Sequence, residues 1–315
     1  MSATPSRLRQ SVGPVVVTLL VALLAGACAA APAATPPPTA VPSSSAAAST
    51  SPSGPSASPT FAPDAVVHPT GAAEVVLRYD VAGGFVPVEF SVGHLPQFTL
   101  YGDGRVIFPG ASDVSGVPAD GVATGGRLRT VMLTEPQVQD LLKFALLEGG
   151  LGVATGPYDA TGVADAPTAT FEIHADGNDK TVSAYALGID ATGADLPMRA
   201  RLSRLADRLS AMESGGAAGA PWEPVAYRAM LLDASGVTGV KVRAWPWNDV
   251  AQAAFRTDPA ANGMPIRKRV LTPAQAQAIG VTGFEGGILS GFYVRLDDGT
   301  VATLAVRPLL PDETS

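Results

Sequence analysis

One cysteine, three histidines and four lysines are all that 315 residues contain of those types, and each scarcity excludes a chemistry. With Cys28 as the sole thiol, the body of the chain has no internal disulfide, no thiolate zinc site and no cysteine nucleophile. The histidines, His68, His94 and His174, show no helical or hairpin ligand spacing, and no G-x-S-x-G elbow accompanies them. No metal site, catalytic residue or cofactor is therefore assigned. Charged residues make up only 16% of the chain, and the net charge is −7. An acidic balance disfavours nucleic acid, which is gripped through its phosphates, and gives no attraction to anionic lipid.

What is present begins at the N-terminus. Arg7 and Arg9 precede the apolar run "VVVTLLVALLAGAC", Val15 to Cys28. As a helix this run reaches roughly 21 Å, short of the ~30 Å hydrocarbon core. A charged start, a short apolar middle and a small-residue end together read as an export signal. The one cysteine closes that run. Removing residues 1–27 takes away two arginines and no acid, which moves the net charge from −7 to −9.

"AGAC", preceded by Leu24, resembles the lipobox of bacterial lipoproteins, although Ala25 stands where that pattern more often has Leu. The resemblance implies that Cys28 receives a diacylglycerol group and becomes the first mature residue. Two acyl chains suffice for stable anchoring where one is marginal. Cleavage at "APA" (31–33) would instead release a soluble protein. Continuation through "AAAPAA" would leave an uncleaved anchor interrupted by Pro32. The position of the thiol favours lipidation, so residues 1–27 are read as signal peptide.

Residues 28–65 are Ala, Pro, Ser and Thr with almost no charge. Such a stretch buries too little apolar surface to offset its ordering entropy and reads as a disordered tether. It would average about 35 Å end to end, and approach ~100 Å fully extended. The whole chain is similar in plan to envelope lipoproteins of GC-rich Gram-positive bacteria: signal, lipobox, Pro/Ser/Thr tether, exodomain.

Beyond the tether the pattern predicts an α+β fold, antiparallel hairpins packed with capped amphipathic helices. It comprises a first domain over 66–214, a linker at 215–221 and a smaller second domain over 222–315. "EVVLRYD" has strand alternation, and Asp103-Gly104, Asp176-Gly177 and Asp298-Gly299 supply hairpin turns. "LTEPQVQDLLKFALLEGG" predicts a helix with Thr134 and Gln137 as a capping box and Gly149-Gly150 as its stop. "MRARLSRLADRLSAME" predicts a second amphipathic helix. "RKRVLTPAQAQ" lies on "RTVMLTEPQVQ" at an offset of 138, with Thr272 and Gln275 repeating the box. Strand, capped helix, hairpin: the order recurs, so the reading allows two related halves.

Candidate ligand-binding residues are few. Trp222, Trp245 and Trp247 cluster within 26 positions, and in an extended "AWPW" segment Trp245 and Trp247 would face one side as a platform for a sugar or peptide. The competing role for these indoles is to roof a small core, with their N–H groups on carbonyls. Tyr158, Asp159 and Asp165 lie in a long segment beside the first capped helix, where they would line a groove or simply belong to a slack loop. The Asp-rich pieces "DGND" and "DDG" read as turns. The expectation is an extracytoplasmic, lipid-anchored exodomain at the cell membrane, leaning away from an enzyme. It would bind a wall component, peptide or protein partner, with exposed sheet edges as contacts through strand addition. An envelope hydrolase with an unlocated site, and an inhibitor or accessory of an exported enzyme, stand as alternatives.

Overall fold

A computed structural model describes residues 64–86, 88–110, 121–189, 193–214, 219–259, 265–282, 284 and 286–313. The segment read as a signal peptide, Cys28, nearly all of the segment read as a tether, and residues 215–218 of the expected linker lie outside the described residues. In chain order come β1 (Val75–Gly83), α1 (Val88–Val92), β2 (Phe98–Tyr101), β3 (Arg105–Pro109), β4 (Ala123–Thr124) and β5 (Leu128–Met132). Next are α2 (Glu135–Leu146), β6 (Pro167–Ala175), β7 (Asn178–Tyr185), α3 (Leu196–Ser214), β8 (Ala220–Pro221) and β9 (Tyr227–Asp233). The last are β10 (Val242–Arg243), β11 (Arg256–Pro259), β12 (Pro265–Leu271), α4 (Pro273–Gln277), β13 (Leu289–Arg295) and β14 (Val301–Pro308).

These strands form two sheets. The first runs β7-β6-β1-β2-β3-β5-β8 and is antiparallel throughout. The second runs β10-β13-β14-β9-β12-β11, with β4 added on β13, and only β10 lies parallel to its neighbour. Thus β4, between β3 and β5 in the chain, leaves the first sheet to pair with the second. Gly291, at φ +71°, faces the backbone of Gly121, and a side chain there would strike that carbonyl. Glycine permits the crossing.

The expected α+β architecture is corrected. The fold is mostly antiparallel β, with two sheets of 7 strands and about 20% helix. Two-sided burial explains the difference. Met230, Leu231 and Leu232 of β9 are consecutive buried residues, and β14 is buried from Ala302 to Pro308. Strands buried on both faces lose the period of two by which strands are recognised. The two halves differ in where the hairpin sits. In the first sheet β6, the leading hairpin strand, lies beside β1. In the second, β14, the trailing strand, lies beside β9. The element order recurs while the placement of the hairpin is inverted.

Helices α2 and α3 cover one face of the first sheet. Val138, Leu142, Leu202, Leu205 and Leu209 pack on Leu77, Phe98, Phe108, Phe171 and Ile173. Each such side chain contributes roughly 1.5–3 kcal/mol on full burial. At the start of α2, Gln137 Oε1 accepts the Thr134 N–H at 2.8 Å, and Gln275 does the same for Thr272 before α4 at 3.1 Å. The opposite face of the sheet presents Tyr101, Ile107 and Leu128 to Leu95, Trp222, Leu310 and Ile288. The second sheet buries Ala229, Leu231, Val294 and Leu304 under Trp247, Phe255 and Ala276.

Adjacent residues of one turn, Pro311–Glu313, hold both sheets. Asp312 Oδ2 accepts from Arg78 Nη2 of β1 at 2.7 Å, and Asp312 Oδ1 accepts from the Tyr101 hydroxyl of β2 at 2.7 Å. Glu313 takes a two-pronged bond from Arg307 of β14, at 2.7 and 2.5 Å, and lies 3.6 Å from Arg228 of β9. Burial alone would raise the Glu313 carboxyl, but the Arg307 bonds and charge outweigh it and hold it below the usual range. Burial, then the bond to Asp312, pushes the Tyr101 hydroxyl well above the ordinary phenol.

Candidate functional site

The tryptophans form core, not platform. Trp245 and Trp247 meet edge to face at 5.1 Å, and Trp245 meets Phe255 likewise at 5.6 Å. Trp247 is buried and its Nε1–H donates to Gln275 O at 2.6 Å, while half-buried Trp245 donates to Val250 O at 2.7 Å. Trp222 is buried among Tyr101, Ile107, Leu128 and Leu310, and its backbone N–H donates to Leu128 O at 2.9 Å. The shared side that an extended segment would offer is thus folded inward.

The segment bearing Tyr158, Asp159 and Asp165 is ordered by bonds of its own. Tyr158 is buried and its backbone bridges the outer strand β7, N–H to Ser183 O and C=O from Tyr185 N–H, both 2.9 Å. Arg199 of α3, itself buried, donates to the carbonyls of Tyr158, Tyr185 and Ala186 at 3.2, 2.8 and 2.7 Å. Asp159 and Asp165 are exposed. The structure places Tyr158 in the core and both acids in solvent.

Sheet edges offer little template. Tyr158 bridges the outer edge of β7 at Ala184, β8 and β10 are two residues each, and β11 ends at Pro259. Short or proline-ended edges are poor templates for strand addition. The histidines are absorbed as well. His68 is buried against Pro69 O and Glu135, His94 pairs with Asp80, and His174 lies 2.9 Å from both Glu172 and Asp179. Among the described residues no group of three or more His, Cys, Asp or Glu is arranged to hold a metal.

Two features missed in the sequence stand out at the Pro167 end of β6. The first is an apolar knuckle. Gly83 and Gly84, at φ +84° and +79°, swing the chain off the end of β1, and Val86 N–H closes on Gly84 O at 3.0 Å. Phe85 sits at the apex of this three-residue turn, 91% exposed. Helix α1 follows. Val88 and Val92, four apart, pack on Met230, Leu232 and Ala305, so the register turns Phe90 outward, 51% exposed. "GGFVPVEF" carried the signal: paired glycines before an apolar run too short for a strand.

The second is a cleft of about 160 Å³ between α3 and the ends of β1 and β6. Small residues make it: Ala169 on the sheet faces Ser203 and Ala206 on the helix, where neighbouring turns carry Leu202, Leu205 and Leu209. Tyr79, Val81 and Leu187 supply apolar walls, and Tyr79 is stacked on Phe171 at 5.0 Å. Asp207 is the one charged lining residue. The side chains of Ser203 and Asp207 have no ion-pair or hydrogen-bond partner among the described residues. Such a surface can take up apolar groups and a cation beside them.

No family model matches the chain, and no curated protein or solved structure is similar to it.

Proposed function

We propose that the protein is a lipid-anchored extracytoplasmic binding domain whose contact surface is the knuckle of Phe85, Val86 and Phe90. The carrying observation is the exposure of two phenylalanines on adjoining turns, at 91% and 51%, beside a third apolar residue. Scattered apolar residues on a surface need no explanation, but a contiguous projecting group costs hydration and marks a contact.

The position of the knuckle agrees with an anchored role. The described chain begins at residue 64, and Val67 O accepts Asp176 N–H at 2.7 Å, at the turn end of β6. Gly83 pairs with Pro167 at the other end. Nine residues of β6 separate them, roughly 26 Å at about 3.3 Å per residue. The first described residues and the knuckle thus lie at opposite ends of β6. Gln139 fastens the arriving chain, taking Val66 N–H at 2.7 Å and donating to Val66 O at 2.9 Å.

The test compares parent, Cys28→Ser and the double variant Phe85→Asp/Phe90→Asp in cells fed radiolabelled palmitate, fractionated and cross-linked with formaldehyde. The parent is expected to carry label, sediment with membranes and give a discrete adduct. Cys28→Ser loses label and sedimentation, whereas the double variant keeps both and loses the adduct. Equal labelling of Cys28→Ser and parent removes the anchor, and an unchanged adduct in the double variant removes the knuckle.

A further inference from the structure

The cleft beside α3 has the size of one side chain and a polarity that selects its neighbours. A cavity of about 150 Å³ accommodates a benzene ring, and this one measures about 160 Å³. Its walls are Tyr79, Val81, Ala169 and Leu187, and its rim carries Ser203 and Asp207, four apart on one helix face. A carboxylate without a cation partner beside an apolar hollow is half of an interaction. Burial of an apolar group next to it is favourable when a positive charge comes with that group, and unfavourable when a negative one does.

We propose that this cleft is a subsite for a basic-hydrophobic peptide segment, an aromatic or branched aliphatic side chain in the hollow and a flanking lysine or arginine on Asp207. The inference rests on the binding reading above and gives the partner a chemistry. A peptide fits better than a small amphiphilic amine because the apolar surface does not stop at the cleft. Pro167 of its wall pairs with Gly83, two residues before Phe85, and Gly188 of its wall precedes exposed Ile189. The partner therefore continues past the anchor residue toward the knuckle. The chain's own charge of −7 draws the same class of ligand.

The test uses the full chain carrying Cys28→Ser and fluorescein-labelled pentapeptides with the centres Lys-Phe-Lys, Glu-Phe-Glu and Lys-Ala-Lys, read by anisotropy. Lys-Phe-Lys is expected to bind with a dissociation constant in roughly the millimolar range, as a single-anchor contact should. Glu-Phe-Glu and Lys-Ala-Lys each bind several-fold more weakly. Asp207→Lys, a change at an exposed position, reverses the order of Lys-Phe-Lys and Glu-Phe-Glu, with a shift of about three- to tenfold. Ala206→Leu fills the hollow and weakens both phenylalanine peptides to the level of Lys-Ala-Lys. Equal binding of Lys-Ala-Lys and Lys-Phe-Lys overturns the hollow, and an order unmoved by Asp207→Lys overturns the carboxylate. Free phenethylamine binding as tightly as the peptide overturns the peptide assignment. If the cleft fails while the Phe85→Asp/Phe90→Asp adduct is still lost in cells, the knuckle stands without it; if both fail, the binding reading falls.

Discussion

Asp312→Ala tests how two sheets are held by one turn. The substitution removes the acceptor of Tyr101, whose ring and hydroxyl are wholly buried, and the nearer of two carboxylates on Arg78. A buried donor left without a partner costs about 1–3 kcal/mol. Arg78 keeps Glu172 at 3.2 Å and is partly solvated, so its loss adds only about 1 kcal/mol. The expected destabilisation is about 2–4 kcal/mol, a large part of a typical stability of about 5–15 kcal/mol. Urea unfolding of the full chain at neutral pH measures it. Tyr101→Phe sharpens the argument. In the parent it removes a satisfied bond and costs about 1 kcal/mol, but in the Asp312→Ala background it removes an orphan donor and becomes neutral or stabilising. A loss below about 0.5 kcal/mol for Asp312→Ala, or strict additivity of the two changes, refutes the reasoning.

The remaining predictions concern the same physical terms elsewhere. The Tyr101 hydroxyl is raised in the fold, so its contribution is complete below the unfolded phenol pKa of about 10 and is lost as pH climbs beyond it, at up to about 1.4 kcal/mol per pH unit; Tyr101→Phe should flatten that alkaline limb, and an unchanged limb would contradict the burial. The Glu313 carboxyl is lowered, so its stabilisation holds above about pH 4.3 and fades as pH falls through the folded value. Glu313→Gln should therefore lose stability at neutral pH and show a shallower acid limb in urea titrations. Trp247→Ala should cost about 3–5 kcal/mol and erase near-ultraviolet dichroism from the Trp245–Trp247–Phe255 cluster; a cost under about 1 kcal/mol would mean that the indole is a surface platform after all. Gly102→Ala should destabilise by more than about 2 kcal/mol by thermal melt, because its Cβ would stand 2.6 Å from the backbone of Thr70 and Gly71; a melt within a degree of the parent would refute the close approach.

What could be read in advance was local. Asp103-Gly104, Asp176-Gly177 and Asp298-Gly299 all turn hairpins, with their glycines at φ +85°, +72° and +85°. Both capping boxes formed where Thr and Gln stood three apart. These signals are written in neighbouring residues. Pairing was not legible, because two-residue strands such as β4 and β8 have no periodicity, and β9 and β14 are buried without alternation. The tryptophans misdirected for a related reason. An extended "AWPW" puts both indoles on one side, but the chain turns and Phe255 and Gln275, distant in sequence, take them inward. The knuckle went unseen because its meaning depends on what fails to cover it. Val88 and Val92 found partners and Phe85 and Phe90 did not, a difference made by the second sheet.

The most direct measurement is site-specific photo-cross-linking in intact cells from a photoreactive phenylalanine at position 85, with position 147, an exposed leucine on another face, as control. The account predicts a saturable adduct with one envelope partner from position 85 and none from position 147. Identical patterns from the two positions, or no adduct from either, would contradict it.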